Sequence, residues 1–202
     1  MSAIIGKSIF FTLKRLANIG FTQSYLQSLT NLRYARTSRH FANYESLISI
    51  VRFKAHYLPR YGGTLKNLSI CMGSLSRKAI IHSAGKVQTY YSSTDDRTTA
   101  GSMADAAQAA VFAKKGRWAF IQVLDAVEPM DNCDGTRNLG NIGLMASLDP
   151  VALDQAAIDM TFRAAPNETT KEAWHRTHMT YLPMLAEQIG VGKTQYVLQT
   201  ID

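Results

Sequence analysis

The stretch Phe120–Met160, FIQVLDAVEPMDNCDGTRNLGNIGLMASLDPVALDQAAIDM, decides how the chain is read. Trp118–Leu124 is an apolar run of strand length, and Asn141–Ser147 is a second. The polar loop between them holds Asp125, Glu128, Asp131, Asn132, Cys133 and Asp134, the densest set of potential ligands in the sequence. Asp149-Pro150 then opens a helix. The aspartate can accept from the first backbone N–H groups, and a proline at the first position lacks only a hydrogen that has no partner there. Val151–Phe162 continues that helix with an apolar stripe.

Working outward, Thr169–Ile189 reads as helical, interrupted by Pro183, and Gln195–Ile201 as a last strand. Upstream, Ser102–Lys115 is rich in helix formers, with Ser102 as N-cap and Gly116 as terminator. Ser83–Thr99 is polar and aperiodic, a surface loop. Leu65–His82 reads as a short helix or turn followed by another element, and Glu45–Phe53 as a buried strand. Ser8–Ile19 has apolar residues at helical spacing and ends at Gly20. Strands alternating with helices predict a single α/β domain over residues 45–202, its sheet mostly parallel or mixed and flanked by helices. A basic, partly helical segment, residues 1–44, precedes it. In such sheets ligands sit beyond the carboxyl ends of strands, which selects the loops after Phe53 and Leu124.

A chain of 202 residues suits one well-buried domain. No apolar run approaches the roughly 20 residues of a membrane-spanning helix. Cys71 and Cys133 lie far apart without a CxxC pattern, which fits a reducing compartment and makes the cytoplasm the expected location. The net charge of +7 is concentrated at the start: residues 1–44 carry six Lys/Arg and no Asp/Glu, and the remainder sixteen against fifteen. Three readings compete there: a solvated helix with a basic loop, a nucleic-acid or anionic-membrane contact through Lys14, Arg15, Arg33, Arg36 and Arg39, or an organelle transit peptide. Without interleaved aromatics, zinc spacings or a reading helix, the sequence argues against nucleic acid as a partner.

Within KAHYLPRYGGTLKN, His56 and Lys54 precede Gly62-Gly63, Lys66 and Asn67. Close backbone approach at the glycines, a cation and an amide suit a carboxylate or phosphate, although the spacing is not that of a P-loop. His82, in AIIHSAGK, reads as a hydrogen-bonded core residue or as a metal ligand and proton carrier. Cys133 lies among acids, which raise a thiol pKa, so it suits an acidic turn or a metal better than nucleophilic catalysis. His175 and His178 could share a helical face in solvated or capping roles. No serine sits in a G-x-S-x-G elbow.

LISIVRFKAHYLPRYGGTLKNLSICMGS, KAIIHSAGK, SMADAAQAA, GRWAFIQVLDAVEPMDNCDG, IGLMASLDPVALDQAAIDM and the closing EQIGVGKTQYVLQTID together resemble the family called domain of unknown function 362, described as uncharacterised iron–sulfur-centre proteins. GGTLKN, IHSAG and ASLDPVALDQA are its specific parts. The resemblance implies an α/β domain associated with a metal or redox role and no established substrate. By position, the family's histidine-and-lysine loop falls on Arg52, Lys54 and His56, and its glycine–lysine–asparagine turn on Gly62, Gly63, Lys66 and Asn67. Its IHSAG histidine is His82, and its cysteine-rich loop falls on Asp131, Cys133 and Asp134.

The chain departs from the family at Arg52, where a histidine is usual, and at Asp131, where a cysteine is usual. The C-x2-C-x2-C run of many relatives is absent, so no self-contained iron–sulfur cluster motif is present. Relatives also carry further N-terminal strands, and the sheet edge left without them could be covered by a second copy in a homo-oligomer. The resulting expectation is a divalent metal, iron or zinc, on His56, His82, Cys133, Asp131 and Asp134, the first three side chains converging to within about 5 Å. Lys54, Gly62, Gly63, Lys66 and Asn67 would hold a small anionic molecule. The alternative is a non-enzymatic binding or subunit module with a degraded metal site.

Overall fold

A computed structural model describes residues 32, 41, 43–73, 75–86, 94–130 and 137–201. The chain forms β1 (Leu47–Arg52), β2 (Lys54–His56), β3 (Arg60–Gly62), α1 (Thr64–Lys66) continuing as a π-helical turn (Asn67–Cys71), and α2 (Leu75–His82). There follow α3 (Asp96–Ala113), β4 (Trp118–Leu124), β5 (Gly143–Ser147), α4 (Pro150–Arg163), α5 (Thr170–Met179) and α6 (Tyr181–Gln188). The protein is a mixed α/β domain. Its main sheet has the order β1-β4-β5, with β1 parallel and β5 antiparallel to β4, and β2 and β3 form a separate hairpin.

The core lies on one face of the sheet. Trp118, Phe120, Gln122 and Leu124 alternate inward along β4, as the two-residue period of a strand requires. They meet α3, whose Ala100, Gly101, Ser102, Ala104, Ala106 and Ala107 are all buried. Small side chains let this helix approach α6 on one side and α1 with its π-helical continuation on the other, and Trp118 donates its Nε1–H to the Ala110 carbonyl. Leu32 and Phe41, from the basic segment, are buried in the same core. Lys114 anchors that approach by donating its Nζ to the carbonyls of Phe41 and Tyr44.

Three sequence expectations change. The long helix begins at Asp96 rather than Ser102, so the end of the expected 83–99 loop is helical. Its N-cap is Asp95, whose side chain accepts from Thr98 N–H, while Ser102 is fully buried mid-helix. The alanine-rich interior concealed the start because polar first-turn residues read as loop. Gln195–Ile201 forms no strand. Tyr196 donates its hydroxyl to Asp159 at 2.8 Å, which ties the segment to α4 instead of a ladder. The region 169–189 divides into α5 and α6 at Thr180. Pro183 sits in the first turn of α6, where its missing N–H has no intrahelical partner to lose. The predicted helix Ser8–Ile19 lies outside the described residues. Among the described residues no helix is long and apolar enough to cross a membrane.

Candidate functional site

The three most specific sequence segments meet in space, and Asp154 joins two of them. Asp149 caps α4 by accepting from Val151 and Ala152 N–H at 2.8 and 3.1 Å, as its Asp-Pro start requires. One turn on, Asp154 projects from the apolar face of α4 into the core. Its carboxylate accepts the Tyr61 hydroxyl at 2.7 Å, Thr64 N–H at 2.7 Å and Leu65 N–H at 2.9 Å. Gln122 donates its Nε2 to the same carboxylate and to Thr64 Oγ1. Asp154 thus serves as an N-cap supplied from a distant helix, and holds the GGTLKN turn against β4 and α4. Asp154, Tyr61, Thr64 and Gln122 are all fully buried. Burial pushes the Asp154 carboxyl up to about 6 against the pull of its four donors. Burial and then the Asp154 charge raise the Tyr61 hydroxyl well above its ordinary value.

The glycine pair has a packing reason. A Cβ on Gly63 would stand 2.7 Å from Tyr61 Cε2 and 2.8 Å from Asp154 Oδ1. The Thr64 and Leu65 amides that follow are engaged by Asp154, and Lys54 lies across the hairpin from Gly62. Asn67 donates from Nδ2 to Ser49 Oγ on β1 at 3.0 Å. The turn is therefore fixed at both ends, and Lys66 is presented between them.

The charge of Lys66 is felt at the third segment, the end of α2. His82 is held below the ordinary imidazole pKa, first by burial and then by the Lys66 and Lys78 ammonium groups. Cys71 is exposed and free. Atoms crowded around its sulfur raise the thiol pKa, and Lys78 and Lys66 pull it part of the way back. The charges of the same two lysines thus act on both an imidazole and a thiol.

His56 stands elsewhere in the hairpin. It pairs with Arg60 across β2–β3, and its Nδ1 accepts Leu58 N–H at 3.0 Å, closing the turn. The hairpin is clamped by α5: His175 Nε2 bonds the Arg60 carbonyl at 2.9 Å. Arg60 makes a paired contact with Asp96 at 2.7 and 3.0 Å, and His178 Nδ1 meets the same carboxylate at 2.7 Å. His175 and His178 do share a helical face, but that face is turned into a contact.

Arg52 donates to the carbonyls of Asp125 and Ala126 at 3.0 and 3.3 Å. This brings the starts of the loops after β1 and β4 together. Asp131, Cys133 and Asp134 lie outside the described residues. Among the described residues no group of three His, Cys, Asp or Glu is arranged to hold a metal ion. The two ammonium groups beside His82 also make that imidazole a poor site for a cation.

Sequence reading missed Asp154, although a signal was present: the acid occupies a stripe position with Val151, Ala157 and Ile158. A carboxylate there must be buried and supplied with donors.

This is a mixed α/β domain whose polar residues bind a glycine turn to the core and gather cations beside it. The chain matches the family described as Domain of unknown function (DUF362) over residues 15–159, and belongs to that family. No curated protein and no solved structure matches the chain.

Proposed function

We propose that this domain binds a small anionic molecule, a carboxylate or phosphate, at the corner formed by Lys66, Lys78 and His82. The observation that carries the reading is that, after burial, the charges of both lysines hold the His82 imidazole below its ordinary pKa. Like charges gathered at a partly buried position repel one another, and an anion turns that cost into attraction. The Asn67–Ser49 bond and the Asp154 cap hold the Lys66 backbone rigidly, so little order has to be gained on binding. This is a binding role, and no reaction is assigned to the described residues.

The test is a titration of the full chain with inorganic phosphate and, separately, with succinate, followed through the His82 ring resonances. Saturable shifts at millimolar ligand or below are expected, together with a rise in the His82 pKa. Lys66→Ala and Lys78→Ala should each weaken binding by about 10-fold or more, the scale of a charge-assisted hydrogen bond. If neither ligand moves His82, the reading fails.

A metal- or redox-associated role is the second reading. It is favoured by the Arg52 contacts, which draw the start of the loop leading to Asp131, Cys133 and Asp134 toward the end of β1. Stoichiometric iron or zinc in anaerobically purified protein, lost in Cys133→Ser, would support it; metal-free protein would remove it.

A further inference from the structure

We infer that the face of the main sheet left uncovered by the described residues is the contact surface for a second copy of this chain. β1, β4 and β5 direct Ser49, Phe120, Gln122 and their neighbours toward the helices. The opposite positions form a continuous patch: Ile48, Ile50 and Arg52 on β1 lie beside Ala119, Ile121 and Val123 on β4. Ile121 and Val123 in turn lie beside Ala146 and Leu144 on β5. Leu148 continues the β5 alternation.

Ile48, Ile50, Leu144 and Leu148 are 67, 66, 70 and 78 % exposed. These four alone present on the order of 500 Å² of aliphatic surface, at the upper end of what a monomer shows. The half-buried Ile121 and Val123 between them bring the patch toward the roughly 800 Å² per partner of a standard interface. A parallel pair such as β1–β4 is ordinarily covered on both faces.

The chemistry of the patch selects its occupant. Arg52 is its one charged residue, and its guanidinium is engaged by the Asp125 and Ala126 carbonyls. Nothing in the centre offers a hydrogen bond or charge to a polar ligand. A second copy supplies a surface of the same extent and character, and a two-fold axis near Ile121 would pair each patch with itself. Two sheet faces so placed interdigitate about 10 Å apart, as in a sandwich. The contact uses the face of the sheet and leaves the edges of β1 and β5 free of it.

Light scattering of the full chain across a concentration series tests this. The expected mass is twice the 22.4 kDa of one chain. Ile50→Lys and Leu144→Lys, made separately, should each shift the equilibrium to monomer by at least 100-fold with an unchanged circular dichroism spectrum. A chain that stays monomeric at about 100 µM, well above typical interface affinities, overturns the inference. So does a dimer that both lysine variants leave intact, which would place the contact at an edge. A monomer whose melting temperature falls on Ile50→Lys also overturns it, because the face would then be covered by its own chain.

Discussion

Tyr61 and Asp154, ninety-three positions apart, share a 2.7 Å hydrogen bond in a fully buried setting. With Thr64, Leu65 and Gln122 donating to the same carboxylate, one side chain links the hairpin, the glycine turn, the central strand and α4. Replacing Asp154 with Asn turns one acceptor oxygen into a donor that faces donors. Asp154→Asn should therefore cost roughly 2–4 kcal/mol in urea unfolding, the scale of buried groups left unsatisfied.

The same residue gives a pH dependence. Its folded pKa is about 6, above the ordinary 3.8. A raised acid contributes stability that is fully present below the unfolded value and is lost as pH rises through the folded one. Between pH 4 and 7 this contribution should decline by roughly 2 kcal/mol. Comparing urea midpoints across that range should show the decline in the natural chain and its absence in Asp154→Asn.

Gly63→Ala tests the packing reason for the glycine. The added methyl meets the Tyr61 ring and the Asp154 carboxylate at under 3 Å, and neither can retreat from its buried bonds. A loss of about 1–3 kcal/mol is expected, as for overpacked cores. Gly62→Ala, whose nearest neighbour is the Lys54 stem at 3.5 Å, should cost clearly less in the same thermal melts.

Lys78→Met should raise the His82 pKa, because one of the two cations that lower it is removed. The ring resonances of His82 followed against pH report this directly. An unchanged midpoint would mean that burial and Lys66 set the value without Lys78.

The clamp of the hairpin onto α5 should be acid-labile. Burial alone would raise the Asp96 pKa, but hydrogen bonds from Arg60 and His178 outweigh it and leave it lowered. A lowered acid contributes stability present above the unfolded value and lost as pH falls through the folded one. Below pH 4, amide exchange in β2–β3 should quicken before exchange in β4. Asp96→Asn should show that fast exchange at neutral pH.

Much of this was legible beforehand because it is local chemistry. The β4 alternation, the Asp149-Pro150 start of α4 and the membership of GGTLKN, IHSAG and DPVALD in one family follow from neighbouring residues alone. The site was legible only in part. The sequence singles out Lys66 and His82 as separate candidates and gives no sign of Lys78, because a solvated lysine and one whose charge acts on an imidazole have the same spelling. His56 reads in the sequence as a ligand, yet its Nδ1 closes a turn. Arg52 stood out as a departure at a family histidine, and only its bonds to the Asp125 and Ala126 carbonyls show what it does.

The sequence by itself determined the α/β class, the order of the main elements and the family, since periodicity and short motifs are carried by contiguous residues. Tertiary structure alone decided that Asp154 caps a turn ninety residues away, that the charges of two lysines act on one imidazole, and that the described residues leave one sheet face uncovered. Those are relations between distant segments, and their energies depend on burial and separation, which no single stretch of chain specifies.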